Sequence, residues 1–380
     1  MKIIDVILQT EISVINRDYG YILEEIMIKE IYISNFRGIS ELKINDFKQV
    51  NLLVGKNNSG KSTILEAIFL NIGAANPSLF HKINLFRQFD KFDDKTLRSF
   101  FYNFNIDDGI TINTVIKNPR QYRNLKITPV HSEYGNGNIV NLSDNDSNEN
   151  SYVFSSDIKG LKNNLGYKES AKGNSREVVS RILMDISGLR VELPPNYSEK
   201  LAGIFIPPRK YIQDTVNRLE RIKFKKEESA LIQILQEIEP ELRSLEILAN
   251  NVIAADIGRK NLIPINLMGD GINRMLAIIL AIYDQKDGYI LIDEIENGFH
   301  HEALSTLWKA VFRAAEMLNV QIFATTHSWE NIIKFNQIAI QEKYNNTMLY
   351  RIEHKNDKNK AISYEQDVLT QTIQSNWEIR

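Results

Sequence analysis

The sequence predicts an α/β fold in which a mostly parallel sheet is flanked by helices. Two observations carry this prediction. An apolar strand-like run at residues 50–54 leads into a glycine-rich loop, and a helical pattern then runs from Ser62 to about Gly73. From Gly269 onward, helical and strand-like segments alternate, which is the pattern of parallel strands joined by crossover helices.

The loop after the first strand has the spacing of a phosphate-binding loop. Its glycines let backbone N–H groups point inward around an anion, Lys61 reaches the β- and γ-phosphates, and the Ser62 hydroxyl ligates Mg²⁺. The helix that follows aims its positive end at the same phosphates. We therefore expect nucleotide contacts from Gly55, Lys56, Asn57, Asn58, Ser59, Gly60, Lys61, Ser62 and Thr63.

Composition limits the partners that the chain can take. The 380 residues carry a net charge of −2, so binding of nucleic acid would have to rest on a local patch. The absence of Cys excludes disulfides and thiolate metal sites and permits a reducing cytoplasm. The longest apolar run, at residues 275–283, is about half of the ~18 residues that a membrane span needs. We expect a cytoplasmic protein without a membrane partner.

The order of elements suggests five units. Residues 1–26 are expected to be a dispensable extension, since Met27 could itself be the start. The units after it are the first part of a phosphate-loop unit (27–75), a β-rich lobe (76–205), a helical insertion (206–260) and the second part of the phosphate-loop unit (261–380).

Within these units the patterns predict individual elements. Residues 28–54 should form two or three strands, residues 100–117 a hairpin around Asp108 and Gly109, and residues 124–130 one more strand. The polar stretch 141–174 reads as an exposed, partly mobile insertion. Apolar residues at spacings of three and four predict two helices joined at Pro240. The final unit should contain helices at 273–283 and 301–318, strands at 288–292 and 320–324, and then further short strands.

A phosphate loop needs a carboxylate partner at the end of another buried strand. The segment "YILIDE" supplies Asp293 as the Mg²⁺ ligand, through a water, and Glu294 as the general base. Adjacent carboxylates can also mark an ordinary solvated strand end. His327, 33 residues after Glu294 in "QIFATTHS", can contact the γ-phosphate or orient the attacking water, although a lone His at a strand end is more often structural.

A second glycine pair lies in "LMGDGINRML". Gly269 and Gly271 free the backbone where a helix begins, which makes a second anion site. Because the first loop already holds one nucleotide, this site would close over the γ-phosphate of another subunit's ATP. The alternative is a plain turn before a buried helix.

These segments, in this order, resemble the ATPase heads of the SMC, RecF and OLD proteins, and above all the stand-alone bacterial AAA family ATPases grouped with OLD. The resemblance covers residue 28 to about 73 and about 265 to the end. It implies an ABC-type P-loop NTPase head, ATP and Mg²⁺ as cofactors, and a homo-oligomer, a dimer or higher, with ATP at its interface. "NFRG", "GKNNSGKS", "MGDGINR", "ILIDEIENGFH" and "ATTHS" match the opening strand, Walker A, signature, Walker B and His switch.

The resemblance implies roles for further residues. Arg37 would approach the nucleotide, or it could equally be a surface charge. The signature lacks its usual serine, so Asn273 or Arg274 would substitute at the γ-phosphate beside Gly269, Asp270 and Gly271. The glutamine that follows the Walker A helix in such ATPases is either Gln88 or Gln121.

The resemblance implies an ATP-hydrolysing switch rather than a complete effector. Only 53 residues follow His327, so no Toprim nuclease domain is expected and a separate effector protein is implied, in phage defence or DNA maintenance. A transporter's nucleotide-binding subunit and a P-loop kinase are the alternatives. Nucleic acid could contact the basic stretch 209–226, although the pattern favours a solvated helix face. His300 and His301 could ligate a metal but more simply pack at a helix start.

Overall fold

The computed structural model describes most of the chain and places it mainly in two sheets. The described residues are 27–89, 91–117, 121–131, 158–169, 175–185, 188–208, 213–237, 239–249, 251–375 and 379. The expected N-terminal extension, residues 1–26, lies outside them. So do residues 141–157 and 170–174 of the expected exposed insertion.

The first sheet has seven antiparallel strands. They are β1 (Met27–Phe36), β2 (Ile39–Ile44), β4 (Ile110–Lys117), β5 (Gln121–His131), β6 (Ile158–Glu169), β7 (Ser175–Asp185) and β8 (Gly188–Glu192). Their spatial order is β2-β1-β4-β5-β6-β7-β8. The helices α2 (Leu79–Phe86) and α3 (Asp94–Arg98) precede β4. Strands β4 to β8 lie within residues 76–205, where a β-rich lobe was expected, and the sheet also includes the opening strands of the chain.

The second sheet has six strands. They are β3 (Val50–Val54), β9 (Gly203–Ile206), β13 (Tyr289–Ile292), β14 (Gln321–Thr325), β15 (Thr347–Lys355) and β16 (Lys358–Tyr364). Their order is β16-β15-β3-β14-β13-β9, and all but β16 run parallel. The prediction of a parallel sheet is confirmed. β9 spans the expected boundary between residues 205 and 206. It pairs with β13 and therefore belongs to the parallel sheet.

Helices cover both faces of the parallel sheet. They are α1 (Lys61–Ile72), α6 (Asp270–Asp284), α7 (Ala303–Leu318), α8 (Trp329–Gln341) and α9 (Gln366–Gln374). Alternate strand residues face opposite cores: Leu52 and Ile322 pack with α6 to α8, whereas Leu53 and Phe323 pack with α1 and the antiparallel sheet. Helix α1 is therefore enclosed between the two sheets.

Four sequence predictions of local structure are wrong. There is no hairpin at residues 100–117, because the consecutive Phe100 and Phe101 are both buried and a 3₁₀ turn at Tyr102–Phe104 follows them. The predicted insertion contains β6, whose Leu161 and Leu165 are buried at four-residue spacing while its other face stays polar. A strand with one open face needs few apolar residues.

The third wrong prediction concerns the insertion before the signature. Its helices are α4 (Gln213–Phe224) and α5 (Glu228–Leu235), and no helix follows Pro240 before the small sheet of β10 (Ser244–Leu248), β11 (Val252–Asp256) and β12 (Ile263–Pro264). Leu242 enters the core from a turn, and Leu245 enters it from β10. The three-residue spacing that predicted a helix also fits a turn followed by a buried strand. The predicted run of short strands after β14 likewise begins with a helix, α8.

Candidate functional site

The phosphate loop joins the carboxyl end of β3 to α1. Gly55 and Gly60 have φ values of 144° and 102°, which side-chain-bearing residues rarely adopt. A Cβ on Gly55 would lie 2.4 Å from the carbonyl oxygen of Ile352 on β15. The Lys61 ammonium donates to the carbonyls of Gly55 and Lys56, at 2.7 and 2.9 Å. The loop is thus a backbone cradle that the neighbouring strand shapes.

The remaining loop residues divide by exposure. Lys56, Asn57 and Asn58 are exposed, whereas Ser59 and Thr63 are buried. The Asn359 amide on β16 donates to the Ser59 carbonyl at 3.2 Å. The terminal hairpin β15–β16 therefore supports the loop from behind, a contact that no sequence pattern predicted.

Asp293 lies at the carboxyl end of β13 and meets the phosphate loop directly. The Ser62 hydroxyl donates to Asp293 Oδ1 at 2.9 Å, and the Thr325 hydroxyl donates to the same oxygen at 2.6 Å. Burial raises the pKa of the Asp293 carboxyl, while the hydrogen bonds from Thr325 and Ser62 lower it. A hydroxyl and a buried carboxylate converging in this way fit Mg²⁺, which prefers oxygen ligands.

Glu294 follows in an unusual backbone conformation. Its φ of 50° is left-handed, and its N–H donates to Thr325 Oγ1 at 2.8 Å. The Asn297 amide donates to Glu294 Oε2. Thr325 therefore contacts both carboxylate residues, because β14 lies next to β13 and Ala324 is opposite Ile292. Neither Thr325 nor Asn297 was predicted from the sequence, and only the strand register could have indicated the first.

His327 begins the loop after β14 and is half exposed. Its ring Nδ1 lies 3.2 Å from Glu296 Oε1, and its backbone N–H donates to the same oxygen at 3.0 Å. The structure therefore places His327 against Glu296, two residues after Glu294 and another residue that was not predicted from the sequence. Burial lowers the pKa of the Lys61 ammonium, and the charges of Asp293, Glu294 and Glu296 raise it.

Arg37 is paired inside the protein and is not a surface charge, while its approach to the nucleotide stays a prediction. Its side chain is 7% exposed, its Nε lies 2.6 Å from Glu66 Oε2, and it donates to Asn84 Oδ1 at 3.1 Å. Its guanidinium also lies 4.5 Å from the centre of the Phe100 ring. Burial lowers the pKa of Arg37 to about 10. The buried Glu66 carboxylate on α1 is thus paired with this guanidinium.

Arg87 shares the same carboxylate, with Nε 2.6 Å from Glu66 Oε1. Gln88 directly follows Arg87 in the chain and is exposed. Gln121 begins β5, whose Arg123 donates to the Asn71 carbonyl near the carboxyl end of α1. Which of the two glutamines follows the phosphate-loop helix in function stays a prediction.

The signature segment lies at the start of α6. Gly269 has a φ of 104° and open space beside it, and Asp270 is the first residue of the helix. Gly271 faces its own chain, since a Cβ added to it would lie 3.3 Å from the Gly298 carbonyl oxygen. The exposed Asn273 amide donates to the Gly269 carbonyl at 3.1 Å.

Arg274 does not face outward as a substitute for the missing serine. Its guanidinium donates to the carbonyls of Asp293 and Glu294, both at 3.1 Å, and to that of Pro207 at 3.2 Å. Free carbonyls at a strand end attract a cation, so Arg274 binds the end of β13 in its own chain. A contact of Arg274 with a neighbour's phosphate stays a prediction.

Two other candidate features carry no site. In α4, Arg221 pairs with Asp284 at 2.6 Å and Lys223 with Glu228 at 3.0 Å, so part of the positive charge of the stretch is neutralised, and residues 209–212 lie outside the described residues. His300 and His301 are exposed with ring centres 4.4 Å apart. Among the residues whose placement is described, no group of three or more His, Cys, Asp or Glu could hold a metal ion.

Known proteins share this arrangement. Residues 50–334 match the family described as "AAA domain, putative AbiEii toxin, Type IV TA system", which is three quarters of the chain. The chain belongs to this AAA-domain family. It is an ATPase with an α/β P-loop fold.

Individual relatives of this AAA ATPase differ in how much they share. A protein named "ATP/GTP phosphatase" from Helicobacter pylori is 26% identical over 349 residues, 83% of this chain and 89% of that protein. The Rad50 double-strand break repair ATPase of Archaeoglobus fulgidus is 42% identical over 62 residues, 16% of this chain and 7% of its own. The SMC head bound to the winged-helix domain of ScpA aligns at 12% identity and a TM-score of 0.47, covering 90% of this chain and 99% of that one.

No helix among the described residues is long and apolar enough to cross a membrane.

Proposed function

We propose that this AAA ATPase is a Mg²⁺-dependent molecular switch that hydrolyses ATP, closes as a dimer or higher oligomer around the nucleotide, and acts on a separate effector. The observation that carries the proposal is the 2.9 Å hydrogen bond from Ser62 to Asp293. It joins the start of the phosphate-loop helix to the end of the carboxylate strand, two segments 231 residues apart. Such a junction serves a nucleotide–metal complex.

Each residue has a role in this proposal. The backbone N–H groups of residues 55–63 and the Lys61 ammonium bind the phosphates. Ser62 and Asp293 would hold Mg²⁺, which neutralises charge on the phosphate oxygens when bound. Glu294 takes the proton from the attacking water. His327 contacts the γ-phosphate or orients the attacking water.

The position of Glu294 supports its role as general base. A left-handed backbone at a residue other than glycine costs about 1–3 kcal/mol and is kept where the surroundings impose it. Thr325 fixes the Glu294 backbone and Asn297 fixes its carboxylate. The Glu294 carboxylate is thus held beside Asp293 but is not one of the proposed Mg²⁺ ligands.

Two variants separate binding from hydrolysis. Glu294→Gln keeps the shape of the side chain but removes the base, so Mg·ATP should still bind while turnover falls by about 10² or more. Lys61→Ala should weaken both ATP binding and turnover, because a phosphate contact is lost. Isothermal titration with ATP and a phosphate-release assay measure the two quantities. Unchanged turnover in Glu294→Gln would remove Glu294 from the mechanism.

The proposed dimerisation rests on the exposure of the signature segment. Leu267 is 78% exposed, and Gly269 has open space beside its Cα. Exposed apolar surface beside a helix N-terminus suits a contact with a second nucleotide-bound chain. In a Glu294→Gln background, ATP should shift the protein to a dimer or higher assembly.

Leu267→Glu tests this contact better than a change at Gly271, which faces its own chain. It should abolish the ATP-dependent shift in light scattering without changing ATP affinity. Val368→Glu, at a 50% exposed position on α9, is the matched control and should leave the shift intact. An assembly state that ignores ATP, or that Leu267→Glu does not alter, contradicts the dimer.

The effector is proposed to be a separate polypeptide, in phage defence or DNA maintenance as the family resemblance implies. After β14 the described residues form α8, β15, β16 and α9. Both strands belong to the ATPase sheet and both helices pack on its core, so this part supplies no further catalytic unit. The stalled Glu294→Gln protein is the bait of choice, because it should hold the effector-competent state.

A further inference from the structure

The antiparallel sheet has one face in the core and one face open. In β4 and β5 buried residues alternate with more exposed ones, and Ile112, Leu125 and Leu161 point into the core around α1. The alternate residues therefore point away from the molecule's interior. Nothing in this arrangement is required by the nucleotide site.

Strand pairing shows which side chains share the open face. Lys126 lies opposite Thr111 and Asn164, and Lys162 lies opposite Thr128 and Arg181. Lys168 lies opposite Tyr122, and Asn124 opposite Asn113. The face formed by β4 to β7 carries lysines, amides and hydroxyls together with the apolar side chains of Val115 and Val179, and we call it the lysine face. Its cations are Lys117, Lys126, Lys162, Lys168 and Arg181.

The charge of this face departs from that of the whole chain. The sequence has 46 basic and 48 acidic residues, yet Glu177 is the one acidic side chain described on the lysine face. Arg181 pairs with Glu192 of β8 at 3.1 Å. Among the described residues, none is an ion-pair partner of Lys126, Lys162 or Lys168. These three lysines give the face its positive potential.

The spacing of the lysines matches an extended polyanion. Lys162 and Lys168 lie six residues apart on one strand, which is about 20 Å at the usual rise. Lys126 lies on the next strand, about 5 Å to the side. A duplex carries a phosphate every ~3.4 Å along each strand, so the row of lysines covers about six base-pair steps.

We propose that the lysine face binds the backbone of a nucleic-acid duplex. Tyr122, at 40% exposure, is the most exposed described aromatic side chain on this face. The face therefore offers phosphate contacts but little stacking for unpaired bases, so binding is independent of sequence and sensitive to salt. This surface goes beyond the ATPase switch and shares no residue with it.

The basic helix α4 is the competing surface, and its internal ion pairs argue against it. Arg221 and Arg218 approach Asp284, and Lys223 lies between Glu228 and Glu246. Lys225 and Lys226 at its end remain exposed and serve as a control.

The experiment compares two triple variants of the full chain with equal change in charge. One is Lys126→Glu, Lys162→Glu, Lys168→Glu, and the control is Lys225→Glu, Lys226→Glu, Lys286→Glu. Fluorescence anisotropy with a labelled 30-base-pair DNA of arbitrary sequence gives the affinity. Three phosphate contacts predict a wild-type loss of about 40-fold between 50 and 200 mM salt. The lysine-face variant should bind at least 10-fold more weakly with a flatter salt response, and the control should match wild type.

Several outcomes overturn the proposal: no duplex binding by wild type at 50 mM salt, equal or greater loss in the control, or tighter binding of the single strand. Melting temperature and basal ATPase without DNA report on folding, and both variants should keep them. If the glutamate variant does not fold, the same three positions as glutamine must still weaken binding and flatten its salt response. An inactive wild-type ATPase that binds duplex would refute the switch and leave this surface standing.

Discussion

At the residue scale, two adjacent carboxylates are placed in different surroundings. Asp293 is 7% exposed and receives two hydroxyl hydrogen bonds, whereas Glu294 turns away through a left-handed backbone and is held by Asn297. This divergence explains how neighbours of the same chemistry can serve as a metal ligand and as a base. Environment, rather than residue type, separates the two proposed roles.

His81 provides a residue-scale prediction about pH. Its ring packs edge-on against Phe92 at 5.7 Å, its buried Nδ1 has no hydrogen-bond partner among the described residues, and burial lowers its pKa from the ordinary 6.5. The unfolded chain then binds the proton more tightly, so the stability present above pH 6.5 should be lost as pH falls toward the folded-state pKa. His81→Phe should reduce this loss in urea unfolding between pH 7.5 and 5.5. Parallel pH profiles of both proteins would show that His81 is not the cause.

At the scale of elements, the phosphate loop depends on the strand beside it. The loop leaves β3 where β15 is the neighbour, and the Ile352 carbonyl occupies the space next to Gly55. The same hairpin supplies Asn359 to the Ser59 carbonyl, across 300 positions of sequence. The shape of the nucleotide cradle is therefore set partly by residues near the other end of the chain.

Gly55→Ala tests this dependence. The new Cβ would lie 2.4 Å from the Ile352 carbonyl at a φ of 144°, so the loop must shift and ATP affinity should fall at least 10-fold. Gly38→Ala is the control, because nothing lies within 4 Å of its Cβ position. Titration calorimetry with ATP measures both. Equal affinity in wild type and Gly55→Ala would mean that the loop accommodates a side chain and that its glycine is not required.

At the scale of the whole molecule, one buried side chain ties the two sheets together. Gln321 on β14 accepts from the Ile28 N–H and donates to the Ile28 carbonyl, both at 2.8 Å, and also donates to the Lys48 carbonyl at 2.9 Å. It thus connects the first strand of the antiparallel sheet to the ATPase sheet across 293 residues of sequence. Stability of the nucleotide site and of the lysine face should be linked through it.

Gln321→Leu should destabilise the protein strongly. The change leaves the Ile28 N–H and carbonyl buried without partners, at about 1–3 kcal/mol each. Gln337→Leu is the same substitution at a solvent-exposed position on α8. It should alter the free energy of unfolding by about 0.5 kcal/mol or less. Urea unfolding compares the two. Similar stabilities of both variants would show that Gln321 does not join the sheets energetically.

Sequence patterns were sufficient where local spacing carries the chemistry. The phosphate-loop motif, the α1 helix ending before Gly73, and the strands at Tyr289–Ile292 and Gln321–Thr325 all follow from short-range periodicity and turn chemistry. The same rules failed at Pro240 and at residues 100–117, because leucines at helical spacing and a turn dipeptide fit more than one tertiary setting. The roles assigned to Lys61, Glu294 and His327 are predictions that the proposed variants test.

The sequence by itself determined the fold class and the chemistry that the P-loop offers, because both rest on residues within one strand, loop and helix. Only the tertiary structure decided the contacts between segments. It placed Arg37 on Glu66, Arg274 on the Walker B carbonyls and Thr325 beside both carboxylates. It also gathered three lysines from β5 and β6 on one open face. Such contacts depend on strand order and register, which bring together residues that no local pattern relates.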